Sequence, residues 1–201
     1  SWETTRYFKR IGAKYMFWQS HYENKNNSGF TKLKNYLDSK VEFDVNADYM
    51  FYVKKFFKNY FGVAGDTMLE YFEQVQAHCR WIEKVNQVSG TIHTVKYGNA
   101  ENWPEGTITG WMEMMEGAYV QLEEAYKASN PALLEVYTRH IMIEEQFPLI
   151  VLCTTYADSY EPAELKALRS KFMNIFYDEL ENTVHAESKL MTEITNTWDM
   201  D

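Results

Sequence analysis

The sequence predicts a mainly α fold, a multi-helix bundle-like domain preceded by one strand–helix unit. Three observations predict it. Apolar residues recur at helical spacing through most of the 201 residues. Helix start and stop signals punctuate that pattern: Asp44 or Asp48 as an N-cap, Gly62 as a left-handed stop, and Asn130-Pro131 at a helix entry. One aromatic run alone, Ala13-Lys14-Tyr15-Met16-Phe17-Trp18-Gln19, suits a strand.

Residues 2–11 form a short expected helix that Gly12 stops, and the strand covers residues 13–19. A polar loop follows over residues 20–29, then a helix with Phe30, Leu33, Leu37 and Val41 in register and Tyr36 alongside. The next helix carries a broad stripe of Tyr49, Tyr52, Val53, Phe56, Phe57 and Tyr60. Residues 64–88 form a long helix whose expected buried face is Met68, Leu69, Phe72, Val75, Cys79 and Ile82. Residues 90–109 are the least regular and read as a long surface connection.

Beyond it, a helix spans residues 108–128, and another carries Leu133, Leu134, Tyr137, Ile141 and Ile143, with Pro148 as a kink or break. A further helix begins near Pro162, with Leu165, Leu168, Phe172, Ile175, Phe176 and Leu180 in register, and a last one is expected near residues 186–198. A lone strand must pair, because buried backbone donors and acceptors cannot go unmet. Helix, strand, loop and helix in that order therefore look like the last unit of an alternating β/α architecture. The division that follows is residues 1–42 for that unit and 43–201 for the helical domain.

Composition excludes several classes. With 45% apolar and 16% aromatic residues the chain is no disordered segment. Twenty basic against 29 acidic residues leave a net charge of -9, which disfavours binding to nucleic-acid backbones. The basic cluster Lys54, Lys55 and Lys58 reads as a solvated edge whose stems lie over aromatic surface. No apolar run approaches the roughly 20 residues of a membrane span. Cys79 and Cys153 lack metal-ligand spacing and sit in apolar helical settings, as buried free thiols would. The start at Ser1, without an initiator Met, reads as a processed or excised piece.

Candidate chemistry is sparse. His140 and Glu144 are four apart, with Glu145 adjacent, but a di-iron site needs Glu-x-x-His repeated on two helices, and no such tetrad exists. They read as helix-surface polar pairs. No catalytic residue, metal ligand or cofactor site is assigned. Glutamates 113, 116, 123, 124, 144, 145, 179 and 181 read as solvated helix positions, and no pair shows the facing geometry of a glycosidase. There is no Gly-x-Ser-x-Gly elbow and no phosphate-cradling glycine loop. Gln19, His21 and Tyr22 stand at the strand's C-terminal end, a place where barrel enzymes put substrate contacts, or form an ordinary polar loop. Trp103 and Tyr97 suit either a sugar platform or aromatic anchoring of a loop or dimer contact.

Several phrases together resemble a bacterial family, domain-of-unknown-function family 4838. Its members carry a glycoside-hydrolase-like barrel followed by helices and are similar to α-glucuronidases. The phrases are Gly12-Ala13-Lys14-Tyr15-Met16-Phe17-Trp18-Gln19, then Leu33-Lys34-Asn35-Tyr36-Leu37-Asp38-Ser39-Lys40, Phe43-Asp44, and Tyr60-Phe61-Gly62-Val63-Ala64. The match is specific over residues 12–72, and it departs at Phe43, where Trp is usual, and at Val45, where Pro is usual. The resemblance implies that residues 1–42 end a (β/α)8 barrel and that the catalytic carboxylates lie upstream. It also implies that the parent is exported and that Gln19 contacts carbohydrate only in the intact protein. The expected partners are the N-terminal barrel of the parent and, through surface left bare, a second copy. The alternative is a free-standing helical interaction module.

Overall fold

A computed structural model describes residues 2–16, 29–86, 99–180 and 198. Seven α-helices make up the described residues: α1 Trp2–Arg10, α2 Thr31–Phe43, α3 Tyr49–Tyr60, α4 Gly65–Asn86, α5 Glu105–Tyr126, α6 Pro131–Thr155 and α7 Pro162–Leu180. Short 3-10 turns cover Gly62–Ala64 and Ala157–Ser159. The mainly α prediction holds, but the strand–helix unit is not shown. Residues 13–16 have no strand pairing, and Tyr15 stands 94% exposed. Among the described residues there is no neighbouring strand to take up their donors and acceptors. The remainder of the expected strand, residues 17–19, lies outside the described residues.

Helix ends follow local chemistry. Asp48, not Asp44, caps α3: its carboxylate accepts the Phe51 N–H at 3.1 Å. Asp44 instead turns the loop by accepting the Asn46 N–H at 2.9 Å. Gly62 has a φ of 60°, the left-handed conformation expected of it, and a side chain there would meet the Tyr137 ring at 2.5 Å. Gly65 lets α4 start against α3, since a Cβ would lie 2.8 Å from the Phe57 carbonyl oxygen. Asn130 caps α6 through the Leu133 N–H at 3.2 Å, with Pro131 in the first turn.

α5 and α6 pack along their lengths, α4 lies on α5, and α7 lies on α6. α3 packs on α4, α2 on α3, and α1 on α2. Arg6 of α1 reaches the α2–α3 loop, donating to the carbonyls of Val45 and Ala47 at 2.9 Å each. Buried side chains from Trp2, Leu37 and Val41 through Phe57, Trp111, Ile141 and Phe172 form one continuous core.

Four expectations are corrected. The irregular segment is shorter, because α5 begins at Glu105, and residues 90–98 lie outside the described residues. Pro148 does not break α6, which runs unbroken to Thr155. Pro148 leaves the Glu144 carbonyl without its usual donor four residues on, and burial on every side keeps the helix in place. Cys79 is exposed, because neighbouring His78 turns inward and donates to the Asn102 carbonyl from Nε2 at 2.5 Å. Tyr71, absent from the expected face of α4, is 1% exposed and central. Of the last expected helix only Trp198 is described. It is buried against Phe172, with ring centroids 5.4 Å apart.

Candidate functional site

Among the described residues the most deeply placed carboxylates lie together on α6, the most apolar helix. Glu144 and Glu145 are 3% and 1% exposed. The solvated helix-surface reading of this pair is therefore wrong. The sequence signal was available, since Ile141, Ile143, Leu149, Ile150, Val151 and Leu152 leave α6 no polar face near its middle.

Glu144 spans to the start of α2. Its two carboxylate oxygens accept the Phe30 N–H at 3.2 and 3.0 Å, and it also receives the Gly29 N–H. α2 needs that group, for Phe30 offers no side-chain cap and its first turn carries no acid. A carboxylate from another helix thus fills the place of an N-cap, where the α2 dipole favours negative charge. Gly29 and Phe30 are both left-handed, with φ of 71° and 58°. For a residue as bulky as Phe30 that conformation is strained. Packing holds it: the Phe30 ring sits 4.8 Å from Phe72, 5.5 Å from Tyr71 and 5.8 Å from Phe57.

One turn earlier, His140 serves the opposite helix end. Its ring lies flat on Tyr60 at 3.7 Å, and Nδ1 contacts the Tyr60 carbonyl at 2.5 Å. A carbonyl only accepts, so Nδ1 carries the proton. The imidazole thus satisfies an otherwise open acceptor at the C-terminal end of α3. Burial holds the His140 pKa below its ordinary value, against the raising effect of that bond.

Glu145 faces other neighbours. Its Oε2 accepts the Tyr119 hydroxyl at 2.9 Å, and Oε1 pairs with Lys171 Nζ at 2.6 Å. Lys171 also lies over the Tyr119 ring. This joins α5, α6 and α7 through one carboxylate.

Burial pushes the Glu144 carboxyl up to about 7 from 4.5, with the Phe30 and Gly29 amides and Lys34 pulling it down. Burial, then the nearby Glu144, pushes Tyr60 up to about 12 and holds Tyr71 well above its ordinary value. Tyr119 is raised by burial and by Glu145. Among the described residues no group of three His, Cys, Asp or Glu side chains is placed to hold a metal ion. None of the described helices is long and apolar enough to cross a membrane.

Gln19, His21, Tyr22 and Tyr97 lie outside the described residues. Trp103 is 4% exposed and packs on His78 and Phe147, at 5.3 and 5.0 Å, so its ring is not a surface platform. The chain matches no family model, no curated protein and no solved structure.

Proposed function

We propose that this chain is the helical, non-catalytic region of a carbohydrate-active, glycoside-hydrolase-like protein. Its role is to buttress an N-terminal barrel or to join two copies. One observation carries the non-catalytic part. The deepest carboxylates, Glu144 and Glu145, are each engaged by protein donors on different helices, α2 for one and α5 with α7 for the other. A glycosidase needs two carboxyl groups facing one sugar, about 5–9.5 Å apart. Carboxylates used as tethers do not offer that.

The carbohydrate-active part rests on the ordered phrases from Gly12 to Ala64, and in the intact protein Gln19, His21 and Tyr22 would contact sugar. An exported parent follows from the same resemblance. Mass spectrometry of the native protein tests the reading. Peptides running upstream from Trp2 into an alternating β/α sequence with paired carboxylates are the expected result. A mature chain beginning at Ser1 would overturn it.

A second reading, a free-standing helical interaction module, is favoured by aromatic side chains left bare. Phe43 is 95% exposed and Phe51 55%. Pull-down with the Phe43→Ser/Phe51→Ser variant separates the two: loss of a partner chain unrelated to any barrel supports the module.

A further inference from the structure

We propose that Glu144 and the left-handed Gly29–Phe30 turn form a proton-operated latch. Protonated Glu144 keeps the first turn of α2 seated on α6, and ionised Glu144 unseats it.

Three independent features of the geometry lead there. The first is a carboxyl group buried in an aromatic shell without an ion-pair partner among the described residues: the described donors that reach it are the Phe30 and Gly29 amides. Glu145, its neighbour, has Lys171 at 2.6 Å, and among the described residues Glu144 has no such contact. An unpaired buried charge is costly, and two neutral amides and a helix dipole offset only part of that cost. The second is stored strain, because Phe30 is the described non-glycine residue with positive φ. Releasing α2 lets Phe30 return to an ordinary conformation. The third is a hinge already present, since Gly29 adopts its own left-handed φ without penalty and a Cβ there would meet open space.

Two forces oppose each other at this turn. Seating α2 buries Phe30, Leu33, Leu37 and Val41. Opening lets water reach the Glu144 carboxylate, so the ionised form is preferred in the open state. Among the described residues the charged and titratable groups around it are Tyr60 from α3, Tyr71 from α4, Lys34 from α2, and His140 and Glu145 from α6. Both tyrosines stay neutral at neutral pH, being raised by burial. His140 gains charge only on the acid side, and it is retained in the variant used as control.

Hydrogen exchange of the 201-residue chain tests the latch, with protection corrected for intrinsic exchange. From about pH 5.5 to about pH 8.5, α2 protection should fall by about tenfold or more and stay below that of α5 at the higher pH. In Glu144→Gln, which keeps the size and an acceptor oxygen, α2 protection should change by less than about twofold. Equal pH dependence in the variant, or α2 and α5 exchanging together at every pH, would overturn the proposal. Should Glu144→Gln fail to fold, carboxyl carbon-13 titration of the wild-type chain decides. The Glu144 midpoint must coincide with the loss of α2 protection, and a midpoint near the ordinary carboxylate value overturns the latch.

Discussion

Lys171 and Glu145 are unequal partners: the lysine side chain is 39% exposed and the carboxylate 2%. Removing the exposed half is therefore the damaging change. Lys171→Met leaves Glu145 buried with, among the described partners, the Tyr119 hydroxyl alone, and should lower urea stability by about 2–3 kcal/mol. Adding Glu145→Leu should recover part of that loss, because the uncompensated charge is then gone. At Gly62, alanine meets two penalties, a φ of 60° and contact with the Tyr137 ring at 2.5 Å. Gly62→Ala should cost about 2 kcal/mol in thermal unfolding, and Tyr137→Ala in the same chain should relieve the steric share.

Caps set the boundaries between elements. Asp48→Ala removes the acceptor for the Phe51 N–H and should cost about 1 kcal/mol, whereas Asp44→Ala, in the loop, should cost less. Comparing the two by urea unfolding checks which aspartate is the cap. α2 and α3 differ in kind. α3 carries its own cap next to it in sequence, and α2 borrows one from Glu144, 114 residues away. His140 and Glu144, one turn apart, therefore fasten the C-terminal end of α3 and the N-terminal end of α2 to one helix. The imidazole N–H meets a carbonyl and the carboxyl group meets amides, so each takes up a backbone group that a helix end leaves open.

For the whole molecule, opposing titrations act near neutrality. Glu144 is raised from 4.5 to about 7, so its contribution to stability is complete below about pH 4.5 and is lost as pH rises through about 7. At about 1.4 kcal/mol per unit that amounts to about 3 kcal/mol. His140 is lowered, so its contribution is present above its ordinary value of 6.5 and is lost on acidification. Urea midpoints measured from about pH 5 to about pH 8 should thus decline with pH less steeply than Glu144 alone requires, and steepen in His140→Asn. Tyr60, Tyr71 and Tyr119 are all raised, so their stability is present below pH 10 and lost above it. Alkaline unfolding should coincide with tyrosinate absorbance, and normal ionisation of all three without loss of helicity would contradict their burial.

The helices around Leu33, Val53, Phe57, Met68 and Phe172 were legible because a 3.6-residue period repeats in the chain itself. So were the stops at Gly12 and Gly62, both left-handed, the α6 entry at Asn130-Pro131, and an α3 cap at Asp44 or Asp48, of which the structure chooses Asp48. Continuity through Pro148 was not legible, because local chemistry argues for a break and only packing of the surrounding core overrides it. Nor were the partners of Glu144 and Glu145, which come from residues 30, 119 and 171.

The amino-acid order alone therefore determined which segments are helical and where several of them start and stop, because those forces act over one or two turns. Tertiary structure alone decided which donors meet the buried acids and which helix ends they fasten. Desolvation and hydrogen bonding to a distant backbone exist only once the helices have met.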